Sequence, residues 1–422
     1  MHSDCATSQE ARIQHASQSP TPTRTAGIDW ATDTNALCVV GGDGQVVGEL
    51  VTTADAAGIR RLLRELDRSG VTQVAIERPD GPVVEALLGT GRTVVVVPPR
   101  QVRHLRTRYG QAGNKHDRFD AFVLADVLRT DGRRLPPLHP DTLQTVALRS
   151  LVRARTDLVQ ARVALCNQLR AHLRVVFPGA VGLFADLDAP ISLAFLARCP
   201  SAEAAAWLSH QRLGAWLAAN RYCGRTPTQV LLERLTSAPA GLTGEPGQAA
   251  SHTTGAHVRA LAAIGDQIAA LQAQVTEQLA LHPDRVVFQS LPRAGVVRAA
   301  KLLVEFGDAR GRFPTDASPA ALAGAAPSTR QSGRRQVVSF RWACDKKLRA
   351  AVTDFTADSR RASPWAEAIY RSHRAAGKTH QHAVRILARA WPRVIWRCWQ
   401  DQAPYNPALH GIAKHRRLPL TA

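Results

Sequence analysis

The chain has 422 residues, enough for two or three domains with cores of their own. Lysine and arginine number 54 against 34 aspartates and glutamates, a formal net charge of +20, which points to a phosphate polyanion as partner through release of its condensed counterions. Seven scattered cysteines without a Cys-x-x-Cys pair argue against a zinc site or disulfide framework and for a reducing cytoplasm, and no apolar run is long enough to span a bilayer.

Residues 1–24 are polar and read as a disordered leader without the apolar core of a signal peptide. From 25 to 140 the pattern is α/β. TAGIDWA is a first strand, and ALCVVGGDGQVVGELVTT is a hairpin turning at Gly41-Gly42-Asp43-Gly44. AAGIRRLLRELDRSG has helical spacing at Ile59, Leu62, Leu63 and Leu66, with Gly70 as the stop. VTQVAIE and TVVVVPP are further strands, separated by the short helix GPVVEALLGTG. RQVRHLRTRYG and HDRFDAFVLADVLRT are helical. This order, β-β-β-α-β-α-β-α, is that of an RNase H-like domain.

Residues 145–282 read as a helical stalk with an insert. A long helix over 145–177 repeats Leu151, Leu158 and Leu165 every seven and ends at Pro178-Gly179. A small helical insert spans 180–235, and TSAPAGLTGEPGQAASHTT at 236–254 has the composition of a flexible linker. A second long helix near 256–282 carries Leu261, Ile264, Ile268, Leu271, Val275 and Leu279, close to a coiled-coil seam. Residues 284–400 form a mainly helical C-terminal domain. Its segment VVFQSLPRAGVVRAAKLLVEFGD resembles a helix-hairpin-helix, whose turn, with Arg293 and Gly295, aims backbone N–H groups at a phosphate without reading sequence. Residues 401–422 are a basic tail with Lys414, His415, Arg416 and Arg417.

Four acids carry the chemistry. Asp29 and Glu77 each end a predicted strand, and Asp117 and Asp120 are three apart at the start of a helix, so they share a face. Phosphodiester cleavage commonly uses two divalent ions, and Mg2+ or Mn2+ takes such hard oxygen ligands while keeping several waters. Taken singly, Asp29 is an ordinary turn residue and Asp117 an ordinary helix cap; their convergence in an α/β context is what points to metal. His116 reads as a bystander.

GIDWA, the glutamate of IERP, and KHDRFDA resemble the RuvC-like domain of the DEDD-type insertion-sequence transposases, the IS-one-ten family. SLPRAGVVRAAKLLVEFGDARGRF, LAGAAPSTRQSGRR and KLRAAVTDF resemble that family's C-terminal transposase domain, and the resemblance runs from Ala26 to Trp399. It implies a serine nucleophile that links covalently to DNA, at Ser332, with Ser328 as the alternative. It also implies a composite site completed by the metal-binding acids, a structured non-coding guide RNA that pairs with donor and target DNA, and a homodimer or tetramer associated with the nucleoid. Arg330, Arg334 and Arg335 would hold the scissile phosphate, and Lys346 and Lys347 would add backbone contacts. A hydrolytic RuvC-type junction resolvase needs the acids and no serine; a non-catalytic nucleic-acid-binding protein needs neither. A DEDD exonuclease is disfavoured, because Asp29 is followed by Trp30 and Ala31 with no second acid.

Overall fold

A computed structural model describes residues 24–109 and 116–410, so the expected leader up to residue 23 and the basic cluster at 414–417 lie outside the described residues. The chain divides into two units, Met1–Pro140 and Asp141–Ala422.

In the first unit, β1 (Thr25–Trp30), β2 (Thr34–Val40) and β3 (Val46–Thr53) form an antiparallel meander. Helix α1 (Ala56–Arg68) opens at Asp55, whose carboxylate accepts from the Gly58 N–H at 2.7 Å. It crosses over to β4 (Gln73–Ile76), which lies parallel to β1. Helix α2 (Pro82–Gly89) has proline in its first turn, where a missing N–H costs nothing. It leads to β5 (Thr93–Val96), parallel to β4, and then come α3 (Pro99–Arg106) and α4 (Asp117–Asp131). The sheet order is β3-β2-β1-β4-β5, with β1 at the centre. Strand alternation sorts the two faces. Ala26, Ile28, Val74 and Ile76 pack with Leu62 and Leu66 of α1 on one side. Ala75 and Val95 pack with Leu124 and Leu128 of α4 on the other.

In the second unit, α5 (Leu143–Val176) and α10 (Gly244–Leu281) pack together along their length. Leu148 and Val152 cluster with Val275 and Leu279, whereas Leu169 and Leu173 cluster with Val258 and Leu261, so the pair is antiparallel. Between them, α6 (Pro190–Arg198), α7 (Ala202–Ala205), α8 (His210–Ala219) and α9 (Thr228–Thr236) form the insert, which buries Phe195, Leu213 and Leu231 against α5 and α10.

The linker expected at 236–254 is corrected by this structure: α10 begins at Gly244, leaving only residues 237–243 irregular. Proline, glycine and threonine read as loop by propensity, but tertiary contacts override it. Pro246 falls in the first turn, Gly247 is buried, and the buried Thr254 hydroxyl meets the His172 ring nitrogen at 3.0 Å.

Beyond α10 come α11 (Arg285–Gln289), α12 (Gly295–Phe306), α13 (Ser318–Leu322), strands β6 (Ser328–Ser332) and β7 (Arg335–Ser339), then α14 (Lys346–Ser359), α15 (Pro364–Ala375) and α16 (His380–Gln400). Their core is aromatic: Phe288, Phe306, Phe313, Phe355, Trp391 and Trp399 are buried together, and the Trp399 indole N–H donates to the Gly307 carbonyl at 2.9 Å. The β6–β7 hairpin is the strand element that the helical reading of this region did not contain.

Candidate active site

The acids of the first unit are placed by register and packing. In the parallel β1–β4 pair Ile28 stands opposite Ile76, so Asp29 and Glu77, the next residues, come side by side at the carboxyl ends of the two strands. Because Ile28 faces α1, the alternation turns Asp29 to the α4 side, where its cross-strand neighbour Ala36 packs against Ala121 and Ala125, and Glu77 follows directly on β4. Helix α4 presses on β1 there. A Cβ on Gly27 would fall 2.1 Å from the Ala121 carbonyl oxygen and 2.5 Å from the Ala125 nitrogen, and the Thr25 hydroxyl donates to the Ala125 carbonyl at 2.9 Å. Passing from Ala121 to Ala125 therefore follows β1 backward, from Gly27 to Thr25. Traced the other way, toward its N-terminus, α4 carries Asp120 and then Asp117 toward the end of β1 that holds Asp29. The helix N-terminus also brings its partial positive charge to this acidic edge.

The four residues differ in surroundings. Asp117 is exposed in the first turn, Asp29 and Glu77 are half-buried, and Asp120 is 1 % exposed. The helix is capped by His116, whose Nδ1 accepts from the Phe119 N–H at 3.1 Å, in the role weighed above for Asp117. Both carboxylate oxygens of Asp120 are taken by Arg106 of α3, through Nε and Nη2. Next to Asp29, the Trp30 ring carries the Arg78 guanidinium at 4.8 Å and backs directly onto Gly81. As a donor set, four carboxylates on strand ends and a helix N-terminus suit a hard divalent cation. The described side chains hold Asp120 on Arg106 instead, and among the described residues no group of three or more His, Cys, Asp or Glu side chains is arranged around a metal position. Arg106 was missed by sequence reasoning: nothing in RQVRHLRTRYG singles out one arginine among several. Gly27 had a readable signal, since a glycine inside a strand marks a close backbone approach.

In the second unit, Ser332 ends β6 at the tip of the exposed hairpin. Gly333 and Arg334 form the two-residue turn, with Gly333 at φ 55°, a value that favours glycine. Ser332 pairs across the ribbon with Arg335, and Arg330 with Val337. Directly opposed residues share a face, as do residues two apart on one strand, so Arg330, Ser332 and Arg335 lie on one face of the hairpin. Ser328 shares that face at the hairpin's half-buried foot, about 13 Å from Ser332 at the usual rise of about 3.3 Å per residue. Lys346 and Lys347 are exposed in the first turn of α14, where Asp345 caps the N–H groups of Lys347 and Leu348. The turn between α11 and α12 holds Arg293 at φ 57°, and Gly295 opens α12 at φ 56°. Arg293 donates to Asp358 at 2.9 Å, where Arg298 and Arg361 also converge. The Arg293 hydrogen bond holds the Asp358 carboxyl below the usual range.

Residues 26–178 match the profile of a DEDD transposase family named for IS110 and described as transposase. Residues 286–371 match the transposase IS116/IS110/IS902 family. The mini-circle putative transposase for IS117 of Streptomyces coelicolor is 32% identical over 407 residues, covering 92% of this chain and 98% of that protein. The insertion element IS900 uncharacterized 42 kDa protein of Mycobacterium paratuberculosis is 27% identical over 91% of this chain and 97% of its own length. The insertion element IS110 uncharacterized 43.6 kDa protein of Streptomyces coelicolor is 30% identical over 75% and 78%. Two profiles in one order and relatives matched nearly end to end lead to one assignment: the chain belongs to the IS110 family of insertion-sequence transposases.

Proposed function

We propose that this transposase cuts and rejoins DNA through a covalent serine–phosphate link formed by Ser332, with the acids of an RNase H-like first unit completing the site. The observation that carries the reading is the hairpin face on which Arg330, Ser332 and Arg335 lie together. A serine hydroxyl is a weak nucleophile on its own; two guanidiniums beside it would bind the non-bridging oxygens of a phosphodiester and offset charge as the phosphorus adds a fifth oxygen. In that step the Ser332 Oγ–P bond forms, the P–O bond to one strand breaks, and the released strand hydroxyl takes the proton that Oγ gives up. Attack by another strand's hydroxyl reverses the step, so the number of phosphodiester bonds is conserved without hydrolysis. Tip exposure favours Ser332 over Ser328.

The sheet order β3-β2-β1-β4-β5 with a helix-borne pair of acids supports the RNase H-like reading of the first unit. Asp29, Glu77, Asp117 and Asp120 would hold a divalent cation, Mg2+ or Mn2+, which when bound supplies charge stabilisation to the attacking and leaving oxygens. Asp120 would join that set on leaving Arg106. The reading extends to a structured guide RNA and a homodimer or tetramer, supported by family membership and by the +20 charge. If it holds, the nucleic acid that copurifies with the protein is sensitive to RNase.

The mechanism is tested with a suspended DNA substrate, nicked so that cleavage cannot reverse. Wild-type protein should accumulate a protein–DNA adduct resistant to denaturant, and Ser332→Ala and Asp29→Asn should not. Free cleaved ends without adduct would favour the hydrolytic, resolvase-like alternative.

A further inference from the structure

At the foot of the β6–β7 hairpin lies a cavity of about 340 Å³ between α14 and α16. Val352 and Thr353 of α14 and Val384 and Arg385 of α16 line it, and Phe340 forms a wall. Two guanidiniums lie over the Phe340 ring, Arg349 at 4.6 Å and Arg385 at 5.2 Å. Arg349 is fixed by the Ala323 carbonyl at 3.1 Å and by the Arg341 carbonyl. Trp342 meets Phe340 edge-on with ring centroids 4.8 Å apart, so it stands beside the cavity, and it is 79% exposed. The serine chemistry uses none of these groups.

A mainly apolar cavity with one phenyl wall, flanked by guanidiniums and next to an exposed indole, offers the chemistry that binds an unstacked base. The exposed indole can stack on a base, the apolar cavity can take one out of its stack, and the cations can hold its phosphates. An acidic peptide would meet the same arginines but would leave the apolar cavity and the indole unused. We propose that this cavity takes one nucleobase of the DNA strand bound along the hairpin, drawn out of its stack, while Trp342 stacks on a base beside the gap. The inference rests on the hairpin's being the DNA-cleaving element and adds a base-binding subsite to it. Phe340 lies five residues beyond Arg335, the partner of Ser332, which is about 17 Å at about 3.3 Å per residue. At about 3.4 Å per stacked base that places the extruded base about five steps from the cleaved phosphate.

The experiment measures binding of the full-length Ser332→Ala protein, with its copurified nucleic acid, to uncut duplexes spanning the cleavage site, each with one abasic nucleotide along the strand. Thr353→Trp, which fills the cavity, should weaken binding of intact duplex about tenfold, and an abasic nucleotide four to six steps from the cleaved phosphate should restore it. Trp342→Ala should weaken binding at least threefold and Trp342→Phe should recover it. If Thr353→Trp lowers the melting temperature, Ala357→Leu serves as a milder plug. Folded plugged variants that bind like the parent, or a loss that no abasic position relieves, would overturn the proposal; so would a change in oligomeric state without a change in affinity, which would place a second copy in the cavity. Since these readouts use uncut DNA and a protein lacking the serine, they stand even if Ser332 is not the nucleophile.

Discussion

At the carboxyl edge of the first unit's sheet, Asp29, Glu77, Asp117 and Asp120 are placed by backbone with little freedom: a central strand, its parallel neighbour, and a helix lying directly on Gly27. The β6–β7 hairpin of the second unit, which carries Ser332, Arg330 and Arg335, is exposed along nearly its whole length and held mainly by its own ladder. One set of candidate groups is thus anchored on core elements, with Asp120 itself buried, and the other is borne on a ribbon. Acid positions should respond to mutation in stability as well as activity, whereas hairpin positions should respond in activity alone.

Three measurements would break or sharpen that contrast. Arg106→Ala leaves the buried Asp120 carboxylate without its partner, and uncompensated buried charges of this kind cost about 3–5 kcal/mol. Chemical denaturation should show that loss, and Asp120→Asn in the same chain should recover much of it. Gly27→Ala drives a methyl group into the α4 backbone, and overpacking costs about 1–3 kcal/mol; a lower melting temperature together with lower cleavage would show that this contact places the acids. Arg335→Ala should slow adduct formation by a factor of about 100, as for loss of a single charge-stabilising donor, with the melting temperature unchanged. A large stability loss there would contradict the picture of the hairpin as a self-contained ribbon.

The smallest effect is in pH. Burial holds the His282 imidazole below its usual pKa, with Asp284 and Asp308 partly opposing, and its Nε2 lies 2.8 Å from the Thr145 hydroxyl. The unfolded chain therefore takes up this proton more readily than the folded one. The corresponding stability is present above about pH 6.5, the unperturbed value, and is lost as pH falls below it toward the folded pKa. Denaturation between pH 7.5 and 5.5 should show the decline, and His282→Gln should flatten it.

Much of the first unit was legible because its signals are local. Apolar runs around Gly41-Gly42-Asp43-Gly44 mark the β2–β3 hairpin, helical spacing and Gly70 mark α1, and a three-residue spacing puts Asp117 and Asp120 on one face. Their convergence with Asp29 was expected from the α/β order, but the direction of α4 over Gly27 was not legible, since it depends on tertiary packing. Nor was the Arg106–Asp120 pair, a choice among chemically equal arginines made by tertiary packing. In the second unit the composition of 236–254 suggested a linker, and burial of Gly247 and Thr254 made most of it helix. PSTRQSGRR lies in a region whose sequence reads as mainly helical. A two-stranded ribbon there needs the pairing of Ser328–Ser332 with Arg335–Ser339, which its polar residues do not announce.

The most direct test of the proposed serine chemistry is to map the residue that becomes joined to DNA. The adduct formed on a suspended substrate would be digested with nuclease and protease, and the nucleotide-bearing peptide sequenced by mass spectrometry. The expected result is a nucleotide on Ser332, with no adduct from Ser332→Ala or Asp29→Asn protein. A nucleotide on any other side chain, or full strand exchange by the Ser332→Ala protein, would contradict it.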